Sequence, residues 1–152
     1  MDDSTHKGRI TKQGIRIYDD VDFAGMAKAG ELAAQILDNV IDLVVPGTTT
    51  EALDAAITKM VDDAGAKSAT IGYKGYQHAS CISVNHVVCH GIPGPKVLKE
   101  GDILNIDVTV IVDGWFGDTS RMYVAGKPSR KAQRLIQITH DALFEGLSLI
   151  HI

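Results

Sequence analysis

Residues 104–120 dictate a β-hairpin, and that hairpin limits what the rest of the chain can be. Asp113-Gly114 sits between two strand-like runs, and glycine takes the positive φ of a two-residue turn at no steric cost. Such a turn sets Val112 opposite Trp115 and Thr109 opposite Asp118. Side chains alternate across a strand, so Leu104, Ile106, Val108, Val110 and Val112 share one face, and that face must be core. The other face carries Asn105, Asp107, Thr109, Asp118 and Ser120. Asp107 and Asp118 become diagonal cross-strand neighbours, roughly 7–8 Å apart at the backbone. Aspartate is disfavoured in strands, and like charges on one face repel. From the hairpin alone two readings stand: solvated carboxylates on a wet face, or two hard oxygen ligands that share or straddle a metal pair.

Composition narrows the field. The chain has 152 residues, enough for one core but not comfortably for two. A net charge of −4 with few aromatics and no basic stripe argues against nucleic acid as the main partner. No stretch approaches the roughly 20 apolar residues of a membrane span, and the polar, acidic start, Met1-Asp2-Asp3-Ser4, is unlike a signal peptide. Cys81 and Cys89 match no zinc spacing and read as reduced thiols of a cytoplasmic protein.

The expected organisation is α+β. Residues 1–18 read as a loose leader, and 19–152 as part of one domain. Asp19 or Asp20 caps a first helix with Phe23, Met26, Ala27, Gly30, Leu32, Ala33, Ile36, Leu37, Val40, Ile41 and Val44 along its apolar stripe, ended by Pro46-Gly47. Thr48-Thr49-Thr50-Glu51 is a capping box, with Thr48 as N-cap, for a second helix with Leu53, Ala56, Ile57, Met60 and Val61 inward. Cys81-Ile82-Ser83-Val84 alternates as a strand, and Val87-Val88-Cys89 is a further apolar run. Pro128-Ser129 opens a third helix with Leu135, Ile138, Ala142, Leu143, Leu149 and Ile150 on its apolar side.

Two loops carry candidate chemistry. His90 lies between an apolar run and Gly91-Ile92-Pro93, where Gly91 admits a close backbone approach and the prolines stiffen the exit. A histidine held that way can serve as acid, base or hydrogen-bond donor near neutral pH, or it can be merely structural. Gly72-Tyr73-Lys74-Gly75-Tyr76 is a glycine-hinged aromatic loop. It reads either as tyrosines covering a core edge or as the wall of an apolar pocket with phenolic tips. His6, His78, His86, His140 and His151 receive no site.

In order along the chain these motifs are Gly72-Tyr73-Lys74-Gly75-Tyr76, Cys81-Ile82-Ser83-Val84-Asn85, Val87-Val88-Cys89-His90-Gly91-Ile92-Pro93, Gly101 to Thr109, and Gly117-Asp118-Thr119-Ser120. Together they closely resemble the bacterial-type (type I) methionine aminopeptidases, dinuclear metalloenzymes of the pita-bread fold. The resemblance implies that Asp107 chelates one metal and Asp118 bridges both. It implies that His90 contacts the scissile amide, and that Tyr73, Tyr76 and Cys81 line the pocket for the methionine side chain. Asn85 and Val87 match positions that help hold a monovalent cation. Two divalent ions (cobalt, manganese, iron(II), zinc or nickel) are the implied cofactors, and N-terminal Met-peptides of nascent chains, near the ribosome, the implied partners. The activity implied is removal of the initiator methionine when the next residue is small.

Three positions depart from the family pattern: Gln77 for proline, Phe116 for histidine or tyrosine, and His86 for glutamate. The family's other ligands, one histidine and two glutamates, belong to a second half. The chain is therefore expected to be the first half of the domain, inactive or feeble alone, marginally stable and prone to self-association, whereas the complete enzyme is a monomer. A different class also fits: a non-catalytic half-domain that keeps the pocket and binds N-terminal peptides or a partner chain. A proline-directed relative is disfavoured by Val88-Cys89-His90-Gly91-Ile92-Pro93.

Overall fold

A computed structural model describes residues 8–151. The first part of the expected leader, residues 1–7, lies outside the described residues. The remainder carries a short antiparallel ladder, β1 (Arg9–Ile10) paired with β2 (Arg16–Ile17).

Helix α1 (Asp20–Asn39) starts where its cap dictates. The Asp19 carboxylate accepts from the Val21 and Asp22 amides, and Asp22 Oδ2 accepts from the Asp19 amide, satisfying donors that the first turn leaves orphaned. The helix stops at Asn39, earlier than Pro46-Gly47, and a 3₁₀ turn (Ile41–Leu43) continues the chain. Ala29, Ala33, Ile36, Leu37 and Val40 are buried as part of the core. Phe23, Met26, Ala27 and Ile41, expected inward, are exposed. The inward line at that end is instead Asp22, Gly25 and Ala29, because the helix lies too close to the sheet for large side chains. A Cβ on Gly25 would stand 2.3 Å from the Trp115 ring nitrogen, and one on Gly117 would stand 2.1 Å from the Ala29 carbonyl oxygen.

Helix α2 (Thr50–Asp63) is capped by Thr49, whose hydroxyl accepts from the Ala52 amide. This is one residue later than expected, since Thr48 accepts the Leu98 amide through its carbonyl and is tied into the preceding loop. Leu53, Ile57 and Val61 are buried, with Ala56 and Met60 partly so.

Four strands form one antiparallel sheet: β3 (Lys67–Ser68), β4 (Ser80–Val84), β5 (Ile103–Val112) and β6 (Trp115–Val124). Strand β5 is the spine, with β6 along one side and β4 and then β3 along the other. The hairpin register is the one expected: Val112 opposes Trp115 and Thr109 opposes Asp118. Asp113 (φ 50) and Gly114 (φ 81) both take the left-handed conformation that such a turn needs. Leu104, Ile106, Val108 and Val110 are fully buried in one core with α1 and α2, and Val112 packs at its margin. The Val87-Val88-Cys89 run forms no strand, and Val88 is 91% exposed.

Helix α3 (Arg130–Ser148) follows β6 and is capped by the Ser129 hydroxyl, which accepts from the Ala132 amide. It buries no residue.

Candidate metal centre

The wet face of the hairpin presents its carboxylates as the alternation requires. Asp107 sits in mid-β5, between Cys81 of β4 and Ser120 of β6, and Asp118 sits one step along β6, opposite Thr109. Asp107 is half-buried and Asp118 exposed. Both carboxyl groups line the same cleft. Burial, and then the negative charge of Asp118, hold the Asp107 carboxyl above the usual carboxylate range, while His90 pulls the other way. Two anions crowded on a desolvated surface are what a bound cation relieves.

His90 reaches this face from the loop after β4. The Ile82 amide donates to the Gly91 carbonyl (2.8 Å) and the Gly91 amide to Ser83 Oγ (3.0 Å). A Cβ on Gly91 would lie 2.2 Å from the Ile82 oxygen, so only glycine fits there. The price of that close return is His90 itself, held at φ 55, a conformation that non-glycine residues rarely adopt.

Opposite stands the aromatic loop, a 3₁₀ turn over Tyr73–Gly75 with Lys74 at φ 49. The Tyr76 hydroxyl donates to the Ser80 carbonyl (2.9 Å), and the Cys81 thiol lies near enough to affect its ionisation. Burial is the main reason that both groups titrate above their usual ranges. Tyr73 is 65% exposed at the rim. Tyr73, Tyr76, Cys81, His90, Asp107 and Asp118 thus line one cleft of about 640 Å³. Ala69, Thr70, Lys74, Gly75, Ile92 and Thr109 complete it; of these the sequence reading placed Thr109 on the wet face and Lys74 and Gly75 in the aromatic loop, and gave Ala69, Thr70 and Ile92 no part in a pocket.

Asn85 and Val87 are not among the residues lining this cleft. Asn85 adopts φ 56 at the turn leaving β4. Its amide group is committed on both sides, donating to Asp102 (2.8 Å) and accepting from the Ile103 amide (3.1 Å). Burial opposes ionisation of Asp102, but the bonds from Asn85 and Lys99 win and lower its pKa. Any cation here would have to take backbone oxygens.

Among the described residues no three His, Cys, Asp or Glu side chains form a group able to hold a metal ion. The donor chemistry of Asp107 and Asp118 fits hard divalent cations, and burial, then the neighbouring charge of Asp118, raises the Asp107 carboxyl. The set fits in kind and falls short in number. No helix among the described residues is long and apolar enough to cross a membrane.

One polar residue behind the cleft escaped sequence reasoning. Asp54, only 7% exposed on α2, accepts from the Ser80 amide (2.9 Å), the Ser80 hydroxyl (2.7 Å) and His78 Nδ1 (2.9 Å). The signal was present: Asp54 falls between Leu53 and Ile57 on the inward stripe of a helix, where an acid needs partners.

Comparison with known proteins agrees with this geometry. The profile described as "Metallopeptidase family M24" matches residues 24–152. The chain is 49% identical over 136 residues to the methionine aminopeptidase of Rickettsia prowazekii (strain Madrid E), spanning 90% of this chain and 52% of that one. It is 46% identical over 138 residues to the methionine aminopeptidase of Escherichia coli (strain K12), with the same coverage. The crystal structure of the R. prowazekii enzyme superposes with a TM-score of 0.86 at 51% identity, over 87% of this chain and 53% of that one. A prolidase from Pyrococcus furiosus, at a TM-score of 0.71 and 21% identity, shares the fold alone. The chain therefore spans about half the length of the curated relatives it matches, and its α+β architecture is that of the pita-bread proteins. On the matched profile, the relatives and the superposition together, this chain belongs to metallopeptidase family M24.

Proposed function

We propose that this chain supplies one wall and two carboxylate ligands of a metal-dependent methionine aminopeptidase, acting in the cytoplasm on N-terminal Met-peptides of nascent chains, near the ribosome, when the second residue is small. The observation that supports it best is the convergence of Asp107, Asp118, His90, Tyr73, Tyr76 and Cys81 on one cleft, in a chain 49% identical to a methionine aminopeptidase.

Each residue has a physical role in this reading. Asp107 and Asp118 would hold two divalent ions, drawn from cobalt, manganese, iron(II), zinc or nickel. When bound, such ions lower the pKa of water and polarise a carbonyl. His90, fixed by its loop, donates a hydrogen bond to the scissile amide and supports charge developing there. Tyr73, Tyr76 and Cys81 surround the methionine side chain with apolar surface and keep water from it. A monovalent cation near Asn85 and Val87, bound by backbone oxygens, would brace the turn leaving β4. Two carboxylates cannot saturate two ions, so the remaining donors come from sequence beyond the described residues or from another chain.

The test is methionine release from Met-Ala-Ser with added manganese, cobalt or iron(II), alongside calorimetric titration of manganese. Binding of manganese that Asp107→Ala and Asp118→Ala abolish, with any methionine release lost in the same variants, supports the reading. Release indifferent to both substitutions, or no manganese binding at all, overturns it. Saturable binding of Met-peptides without turnover points instead to the half-domain as a peptide-binding module.

A further inference from the structure

Both walls of the cleft are tied to one helix, by two buried polar side chains a single turn apart. Thr50 (2% exposed) and Asp54 (7%) lie at i and i+4 on α2, which places them on the same face. Thr50 Oγ1 donates to the Gly94 carbonyl and stands 3.0 Å from the Gly94 amide, which donates back to it. The Glu51 amide donates to the same carbonyl. Gly94 ends the short loop that carries His90 and Ile92. One turn on, Asp54 takes the Ser80 amide, the Ser80 hydroxyl and His78. Ser80 is fully buried, its carbonyl accepts from the Tyr76 hydroxyl, and its neighbour Cys81 pairs with Asp107. The His78 ring also stands edge-on to Tyr76, 5.6 Å between centroids. Neither Thr50 nor Asp54 lines the cleft.

We propose that Thr50 and Asp54 are positioning residues, Thr50 setting the His90 wall and Asp54 the Tyr76–Cys81 wall, so that α2 fixes the width of the cleft between them. Among the described residues the Asp54 carboxylate meets no Lys or Arg: its partners are His78 and Ser80. A buried acid costs stability unless it is satisfied, and here it is satisfied entirely by the strand end that carries the pocket. That the cleft receives a methionyl group rests on the function proposed above; that α2 clamps both walls does not.

The experiment is hydrogen–deuterium exchange of the whole chain, read segment by segment. Asp54→Ala should speed exchange about tenfold in 76–82, the effect of a lost buried hydrogen-bond set, and leave 90–95 and the β5–β6 ladder unchanged. Thr50→Val, which keeps the volume, should do the reverse, loosening 90–95 alone. Asp54→Asn and Thr50→Ser retain acceptors in place and should restore most of the protection. Acceleration spread evenly over the sheet means that the two residues only stabilise the fold, and overturns the proposal. So does no local change. Calorimetry of methionine binding in the presence of manganese then separates the two claims. If wild type binds and Asp54→Ala binds about tenfold more weakly, the clamp serves a methionine pocket. If wild type does not bind, the functional reading falls while the clamp stands or fails on its exchange pattern.

Discussion

Helices α1 and α3 look alike as sequences and live differently. Both run about five turns, both begin with a side-chain cap, and both carry an apolar stripe. Helix α1 closes the sheet: Ala29, Ala33, Ile36 and Leu37 are at most 2% exposed. Helix α3 closes nothing: Leu135, Ile138, Leu143 and Phe144 are each more than half exposed. What separates them is the surface they meet. Strand β6 offers α1 a glycine at the point of closest approach, so helix backbone and strand backbone almost touch. No such seat faces α3. An amphipathic stripe states that a helix needs cover; the complementary surface decides whether it gets it.

The largest effect should come from that seat. Gly117→Ala places a Cβ 2.1 Å from the Ala29 carbonyl, a backbone contact that cannot rotate away, and should cost about 4 kcal/mol, a large part of a typical domain's stability. Gly146→Ala in α3 meets nothing within 4 Å and should leave the melt unchanged or raise helicity by about 0.5–1 kcal/mol of local stability. Circular dichroism of the two variants compares them directly. A folded Gly117→Ala protein would dissolve the distinction between the helices.

Next comes the core itself. Leu37→Ala should cost about 2–5 kcal/mol through lost burial and a residual cavity. Leu143→Ala removes a side chain that is 57% exposed and should change stability by no more than about 0.5 kcal/mol. Chemical denaturation measures both. Equal costs would mean that α3 is covered in solution, by another copy of the chain or another segment, and sedimentation of wild type and Leu143→Ala would then show association lost in the variant.

The caps give a third and smaller pair. Asp19→Ala should cost about 1 kcal/mol of global stability, because α1 is part of the core. Ser129→Ala removes an equivalent bond but should only fray α3, lowering ellipticity without moving the melting midpoint. A shift of the midpoint in Ser129→Ala would place α3 in the cooperative unit.

The same contrast explains what could be read from sequence. The hairpin was fully legible, with its register and both faces, because period-two alternation and Asp113-Gly114 are local signals that agree. The wet-face position of Asp107 and Asp118 followed at once. Features set by distant approach were hidden. Phe23 and Met26 looked inward because they are apolar, yet the real line of contact uses Asp22, Gly25 and Ala29 because the helix must come close. Val87-Val88-Cys89 is an apolar run that nothing local marks as exposed, yet Asn85 turns the chain before it, and Gly91 returns to bond Ile82 beyond it. Thr48 was expected to cap α2, but its bond from Leu98 ties it to the preceding loop and leaves the cap to Thr49. Asp54 stood on the inward stripe of α2, but its partners were hidden for the same reason: they lie 24 and 26 residues away.

The smallest effect is told by its sign. All the buried-face losses above destabilise, whereas removing a charge from the open face of β5 should stabilise the metal-free chain. The Asp107 carboxyl is held above its unfolded value, first by burial and then by Asp118. The folded state therefore binds more protons than the unfolded state between the two values, and stability falls as pH rises through that window. At neutral pH the full penalty is present, and Asp107→Asn, which keeps the shape and removes the charge, should melt higher than wild type. The advantage should shrink as pH drops through the folded-state value and vanish below the usual aspartate range, about 3.9. Solvent beside exposed Asp118 screens the pair, which is why the gain should be less than a lost cap. Adding manganese should reverse the order, since wild type gains a ligand that Asp107→Asn holds poorly, and binding to the folded state alone raises its melting point. If Asp107→Asn melts lower without metal at pH 7, the carboxyl pair is not under repulsion, and the case for Asp107 and Asp118 as a cation site loses its electrostatic support.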